Sequence, residues 1–413
     1  MKVAQGRATF LTSLFLTTTP NSGGADRGEE RSSRFLQKDI ELFDNLSRLP
    51  DARTKPAIPL ATVLAAVALM PFFILKSFLA LDREARGPEL KRILASRRRI
   101  VVSDSTILRV LCTLAPTVVQ DFLLAAVRAV DRQGVLRASL IEGGKPYRIG
   151  IVDGSTMKNH DLVVFDLHGT IDAPALVLES QGHGYEYATA LSGLKTLGAT
   201  LCPLVPDIIM GDGLYFNGPV ATEIHKLGSD FLFKVTTQAD WRQVLADADF
   251  AMKAHRDFPK YRTTASDYDD MRLCSWEMDM AAANYAGVPL TVAFVTEHYQ
   301  KDPRRETSTF WIVTSALDLS PAEVREAGHV RWHIENDVFK RLSHLARTKR
   351  FTCRGNGVFL CFLMLICAST AAIEAYTSIL RRSAEEWKEF LAGIKPTLAN
   401  ILFRLRSQAV TSV

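Results

Sequence analysis

Cysteine is scarce in this chain: there are six in 413 residues (Cys112, Cys202, Cys274, Cys353, Cys361 and Cys367), and none stands in a C-x-x-C pair. That spacing supports neither a zinc site nor a disulfide framework, and free thiols in a reducing cytosol are the reading. A dominant charge is missing as well. Lys and Arg number 50 against 45 Asp and Glu, a net charge of +5, which permits an anionic partner without demonstrating one. With only 24 Gly and 17 Pro the chain is neither collagen-like nor of low complexity, and 47% hydrophobic residues exclude bulk disorder. A length of 413 residues suits two to four packed units of roughly 100–200 residues each.

Long apolar runs are few. Ala57 to Leu75 is uncharged for 19 positions and Gly357 to Ile373 for 17, both close to the roughly 20 residues that a membrane span requires. Pro59 and Pro71 interrupt the first, which leads directly to Lys76; the second contains Cys361, Ser369 and Thr370 and ends at Glu374. Both are read as buried core helices, with no membrane as partner. Near the start, Lys2 and Arg7 precede the apolar stretch Phe10 to Leu16, but Thr12 and Ser13 break it and no small-x-small cleavage site follows. Residues 1–33 are expected to form a flexible tail.

From there, hydrophobic spacing divides the chain. Residues 34–145 read as all-α, with Leu42, Leu46 and Leu49 on one stripe and Ser103 to Thr106 as a capping cluster before Ile107. The basic residues of this region, Lys91, Arg92, Arg97, Arg98, Arg99 and Arg109, suit either phosphate contact or a solvated face. Residues 146–235 alternate three strands, a helix, a strand, a helix and a strand, the pattern of a mixed α/β layer. Residues 236–315 read as β-rich, with Arg272 to Met280, Thr291 to Val295 and Phe310 to Thr314 extended. Helical spacing returns over 316–350, opened by Ser320 and Pro321, and continues over 351–413.

Two carboxylates occupy equivalent places: Asp153 ends one apolar strand before Gly154 and Ser155, and Asp212 ends another between Gly211 and Gly213. A carboxylate leaving a buried strand can face a cleft, and glycine beside it admits a close approach. A third segment runs from His329 to Leu342, where Val330, Ile334, Val338 and Leu342 recur every four residues as a buried stripe. Arg331 and Glu335 stand one helical turn apart beside that stripe, the spacing of an ordinary surface ion pair. Trp276 and Trp311 suit core packing or stacking on an unpaired base.

Asp153-Gly-Ser, Gly211-Asp-Gly-Leu-Tyr-Phe-Asn and Arg331-Trp-x-Ile-Glu, separated by 59 and 123 residues from Asp to Asp to Glu, resemble the DDE transposases of bacterial insertion-sequence family four. The resemblance covers about residues 147–350. It implies a ribonuclease-H-like mixed sheet in two parts, 146–235 and 316–350, split by a β-rich insertion at 236–315 and preceded and followed by all-α regions. It also implies that Asp153, Asp212 and Glu335 form the catalytic and metal-binding triad, holding two Mg²⁺ or Mn²⁺ ions for DNA strand cleavage and transfer. Arg331, Lys340 and Arg341 would contact DNA phosphates; the partners would be terminal inverted repeats, target DNA and a second copy of the chain, in the cytoplasm at the nucleoid. His329 and His333 would have neighbouring roles at most. The fuller family signature has a Tyr and a Lys where this chain has Gly328 and Leu342. A catalytically inactive, transposase-derived DNA-binding protein is the alternative those two positions leave open.

Overall fold

The computed structural model describes residues 40–71, 75, 77–86, 102–157, 159–182, 184–200, 204–235, 242–254, 262–269, 272–299, 307–331, 334–340, 342 and 356–381. The expected tail at 1–33, the basic residues 91–99, His333, Arg341 and the stretch from 382 lie outside the described residues. In chain order the elements are α1 (Leu42–Ser47), α2 (Leu60–Ala68), α3 (Phe78–Ala85), α4 (Asp104–Cys112), α5 (Pro116–Asp131), β1 (Ala138–Ser139), β2 (Pro146–Tyr147), β3 (Ile149–Met157), β4 (His160–His168) and β5 (Asp172–Glu179). There follow α6 (Glu186–Thr200), β6 (Ile208–Asp212), α7 (Gly218–Lys226), β7 (Asp230–Val235), α8 (Arg242–Ala254), β8 (Arg262–Asp269), β9 (Arg272–Tyr285), β10 (Val288–Tyr299), β11 (Thr307–Thr314), α9 (Pro321–Val330), a π-helical turn (Ile334–Phe339) and α10 (Asn356–Arg381). This is the mixed α/β class expected from the sequence. The chain divides into two compact units, one of Met1–Leu136, Ser155–Glu179 and Ile334–Val413, the other of Arg137–Gly154 and Ser180–His333.

The first unit is built on α10. Its segment Gly357–Ile379 is long and apolar enough to cross a membrane, yet 94% of its most apolar window is buried, by α5, β5, α2 and α4. The earlier apolar run yields only the nine-residue α2, entered at Pro59 and far short of a span. Ser103 caps α4 by accepting from the Thr106 N–H at 3.3 Å, as the sequence suggests. The antiparallel pair β4–β5 lies against α5 and α10, with the His160 ring stacked on Phe359 at 4.4 Å. Gln120 on α5 donates to Ala175 O at 2.7 Å and accepts from the Val177 N–H at 3.1 Å, so one amide side chain serves as a substitute strand for β5.

The second unit holds a sheet of order β3-β6-β7-β11-β10-β9-β8. Its β3, β6 and β7 are mutually parallel, and β11, β10, β9 and β8 attach antiparallel to β7 in turn. The β-rich segment therefore extends the sheet that carries the two aspartates. Phe216, Phe231 and Phe233 fill the core where α7 packs on β7, their ring centroids 5.5–5.9 Å apart.

Three local features depart from the sequence reading. A two-stranded ribbon, β1 with β2, lies within and just beyond the stretch read as all-α. The strand β8 was not expected, and β9 runs on to a tight turn at Ala286 and Gly287. Finally, the helix capped by Ser320 stops at Val330, and the next described turn, Ile334–Phe339, is π-helical. Apolar residues every four positions drift around an α-helix; a π turn takes up about one more residue per turn and keeps Ile334 and Val338 both buried.

Candidate active site

The parallel register of β3 and β6 pairs Ile149 with Ile208, Gly150 with Ile209 and Ile151 with Met210. Continued two residues further, the same register sets Asp153 beside Asp212 on neighbouring strands, which lie about 4.8 Å apart. Gly211 supports that continuation, because a Cβ there would stand 3.0 Å from both Val152 Cγ1 and Phe233 Cε1. Valine, glycine and phenylalanine thus share one face, and the residues that follow them, Asp153, Asp212 and Lys234, share the other. Asp212 ends β6 and Lys234 stands one residue before the end of β7. Asp153, expected to end its strand, instead lies midway along β3, which continues to Met157. It follows the last parallel pair, Ile151 with Met210, and it is beyond the parallel pairing that α/β sheets open their clefts.

Asp153 is buried, at 6% exposure; its Oδ1 accepts from the Gly154 N–H at 2.9 Å and its Oδ2 lies 3.9 Å from Arg331 Nη1. Asp212 accepts from the Leu214 N–H at 2.9 Å, an Asx turn that orients its carboxylate. Tyr215 follows in that turn, wholly buried, and its hydroxyl has no hydrogen-bond partner among the described residues. Burial first, then the charges of Asp153, Asp212 and Glu186, push its phenol pKa far up, partly opposed by Arg331. Glu186 opens α6, and a Cβ placed on Gly154 would stand 2.6 Å from its Oε2 and 3.2 Å from Tyr215 Oη. Only a glycine leaves that space open.

Cations line the other side. Lys234 sits over the Phe310 ring, its Nζ 3.9 Å from the centroid, and burial followed by repulsion from Arg331 brings its pKa down to about 8 against the pull of Glu297. Glu297 is itself buried and meets both Arg325 Nε and His329 Nε2 at 2.7 Å. His329 is thus held by Glu297, the same carboxylate that holds Arg325. Trp276 is a core residue, 3% exposed with the Arg325 guanidinium 5.5 Å over its ring, whereas Trp311 is partly exposed and packs against Phe294 at 4.7 Å.

Of the residues singled out from the sequence, the second unit thus brings together Asp153, Asp212 and Arg331. Arg331 is not inside a continuous helix as expected but caps the C-terminus of α9, its side chain 11% exposed with Nη1 3.9 Å from Asp153 Oδ2. Glu335, in the π turn, and Lys340, just after it, are exposed and belong to the first unit. A Cβ on Gly328 would meet Ile312 Cδ1 at 2.8 Å, and Leu342 is 2% exposed, so both departures from the family signature serve packing. Glu186 and Tyr215 were missed, although Tyr215 lies inside the quoted Gly-Asp-Gly-Leu-Tyr motif.

Among the described residues, no three His, Cys, Asp or Glu side chains group closely enough to hold a metal ion alone. A pair of adjacent carboxylates still fits Mg²⁺, which keeps several waters and binds through one or two carboxylates plus substrate phosphates. The orphaned Tyr215 hydroxyl and the space at Gly154 mark the same place as one shaped for an occupant.

Residues 144–371 match the family model of the transposase DDE domain, more than half of the chain. The chain belongs to the DDE transposase family. No curated protein matches it. The matched DDE domain contains Asp153, Asp212 and Glu335, together with the whole β-rich segment between the last two.

Proposed function

We propose that this transposase cleaves DNA at the ends of an insertion sequence of family four and joins those ends to target DNA, with Asp153, Asp212 and Glu335 as its catalytic carboxylates. The observation that supports this reading is the parallel pairing of β3 with β6, whose register, continued two residues past Ile151 and Met210, leads to Asp153 and Asp212 in a DDE-family chain. Parallel β3-β6-β7, the antiparallel pair β4–β5 and helices at α6 and α7 support a ribonuclease-H-like core. These carboxylates would hold two Mg²⁺ or Mn²⁺ ions, which would supply polarisation of the scissile phosphate and stabilisation of the leaving oxygen without a protein nucleophile.

The protein's own residues hold and orient. Asp153 and Asp212 supply hard oxygen ligands, with Glu335 as the third carboxylate. Arg331, already beside Asp153, moves charge toward a DNA phosphate, and Lys340 and Arg341 extend that basic surface. The Glu297 clasp on Arg325 and His329 steadies α9, from whose end Arg331 projects. Partners are the terminal inverted repeats, target DNA and a second copy of the chain on DNA, in the cytoplasm at the nucleoid and without a membrane.

Gly328 and Leu342, both committed to packing, favour a second reading: a catalytically inactive, DNA-binding relative. One assay separates them. Duplexes carrying the flanking repeats are incubated with the full chain and Mg²⁺ or Mn²⁺. Specific nicking by the wild type, lost in Asp153→Ala, Asp212→Ala and Glu335→Ala with DNA binding retained, is the expected result. Binding without nicking by the wild type selects the second reading, and full nicking by all three variants overturns the triad.

A further inference from the structure

Glu186 lies outside the triad, yet its carboxylate reaches the stretch of β3 that carries Asp153. Acidic residues are common in the first turn of a helix, where they complement the helix dipole. That role needs no particular neighbour. Here Oε2 stands 2.6 Å from where a Gly154 Cβ would be, so the carboxylate is pressed against the backbone next to Asp153. The Tyr215 hydroxyl comes within 3.2 Å of the same point, fully buried and without a hydrogen-bond partner among the described residues. A buried hydroxyl left unsatisfied is costly, and its presence among three carboxylates points to an arrangement completed by something that enters.

We propose that Glu186 is a further carboxylate of the divalent-cation site, accepting hydrogen bonds from the ion's water shell, and that Tyr215 is the positioning residue that holds the site carboxylates in place. A water-mediated role agrees with the absence of a three-ligand cluster among the described residues, and with Mg²⁺ keeping much of its hydration. With these carboxylates gathered around a cation, the Tyr215 O–H would have a carboxylate oxygen to which to donate. Carboxylates in this outer position commonly change metal affinity tenfold or more when removed. This inference rests on the proposed metal-dependent cleavage.

The test measures Mn²⁺ binding by the full chain, from the electron-paramagnetic-resonance signal of free Mn²⁺, with and without a repeat-end duplex. Wild type is compared with Glu186→Gln, Glu186→Asp, Gly154→Ala and Tyr215→Phe, and with Asp153→Asn and Asp212→Asn as references; circular dichroism checks that each is folded. Expected are a loss of Mn²⁺ affinity of about tenfold or more in Glu186→Gln, partial recovery in Glu186→Asp, and a smaller loss in Tyr215→Phe. Gly154→Ala, whose methyl group displaces the Glu186 carboxylate, should behave like Glu186→Gln even if that variant fails to fold. Wild-type affinity in Glu186→Gln and Gly154→Ala, with binding lost in the two Asp references, overturns the role of Glu186 and leaves the proposed function standing. No Mn²⁺ binding by the wild type in either condition, or none lost in the Asp references, overturns both.

Discussion

Replacing Lys234 with methionine is expected to stabilise the second unit. The lysine is largely buried against Phe310 and beside Arg331, and these surroundings bring its pKa from 10.5 to about 8. That change corresponds to about 3 kcal/mol in favour of the neutral amine. Below about pH 8 the folded and unfolded chains both carry the proton, and the folded state bears the whole cost. Between about 8 and 10.5 the unfolded chain still holds a proton that the folded chain has released, so wild-type stability rises with pH across that window. Methionine keeps an apolar contact with the Phe310 ring but forfeits a cation–π attraction worth about 0.5–2 kcal/mol. The net gain at pH 7 is therefore about 1–2 kcal/mol. Denaturant unfolding of both proteins from pH 7 to roughly 10.5 measures it, and the gap should shrink as pH rises through that interval. A gap that stays constant, or a variant less stable than wild type at pH 7, would refute the reasoning.

Gly211→Ala places a methyl group 3.0 Å from Val152 and Phe233 inside the sheet, and should cost about 1–3 kcal/mol in denaturant unfolding while lowering DNA cleavage by shifting Asp212. Ala286 holds a φ of 53° beside Gly287 in the β9–β10 turn, so Ala286→Asn, which suits that turn, should stabilise by about 0.5–1 kcal/mol in the same assay. Gln120→Ala removes both hydrogen bonds to β5 and should cost about 1–3 kcal/mol; hydrogen exchange should show the Val177 amide losing protection, and unchanged protection there would contradict the edge-covering role.

Much of the fold could be read from local pattern because local forces set it. Ser103 and Ser320 cap the helices they precede, and the apolar segments before Asp153 and Asp212 are strands, of which the second ends at its aspartate while the first runs on to Met157. What pattern did not show depends on contacts distant in sequence. The register that sets Asp153 beside Asp212 needs a neighbouring strand 59 residues on, although Gly211 between bulky residues was its local trace. The space at Gly154 that admits Glu186 was invisible for the same reason, since nothing near residue 186 specifies the opposite wall. The turn at Ile334 left a mark in the uniform spacing of four, which an α-helix shares only approximately. The polar strand β8 lacks an apolar alternation strong enough to announce itself, and its pairing with β9 makes it a strand.

The central claim is that Asp153 and Asp212 jointly hold a divalent cation against DNA. Crystals of the full chain bound to a repeat-end duplex, grown with Mn²⁺ and measured for anomalous scattering, test it most directly. The account predicts an anomalous peak between these two carboxylates, with oxygen distances of about 2.0–2.2 Å. Ordered Asp153 and Asp212 side chains with no cation between them, in a protein preparation that nicks the same DNA, would contradict it.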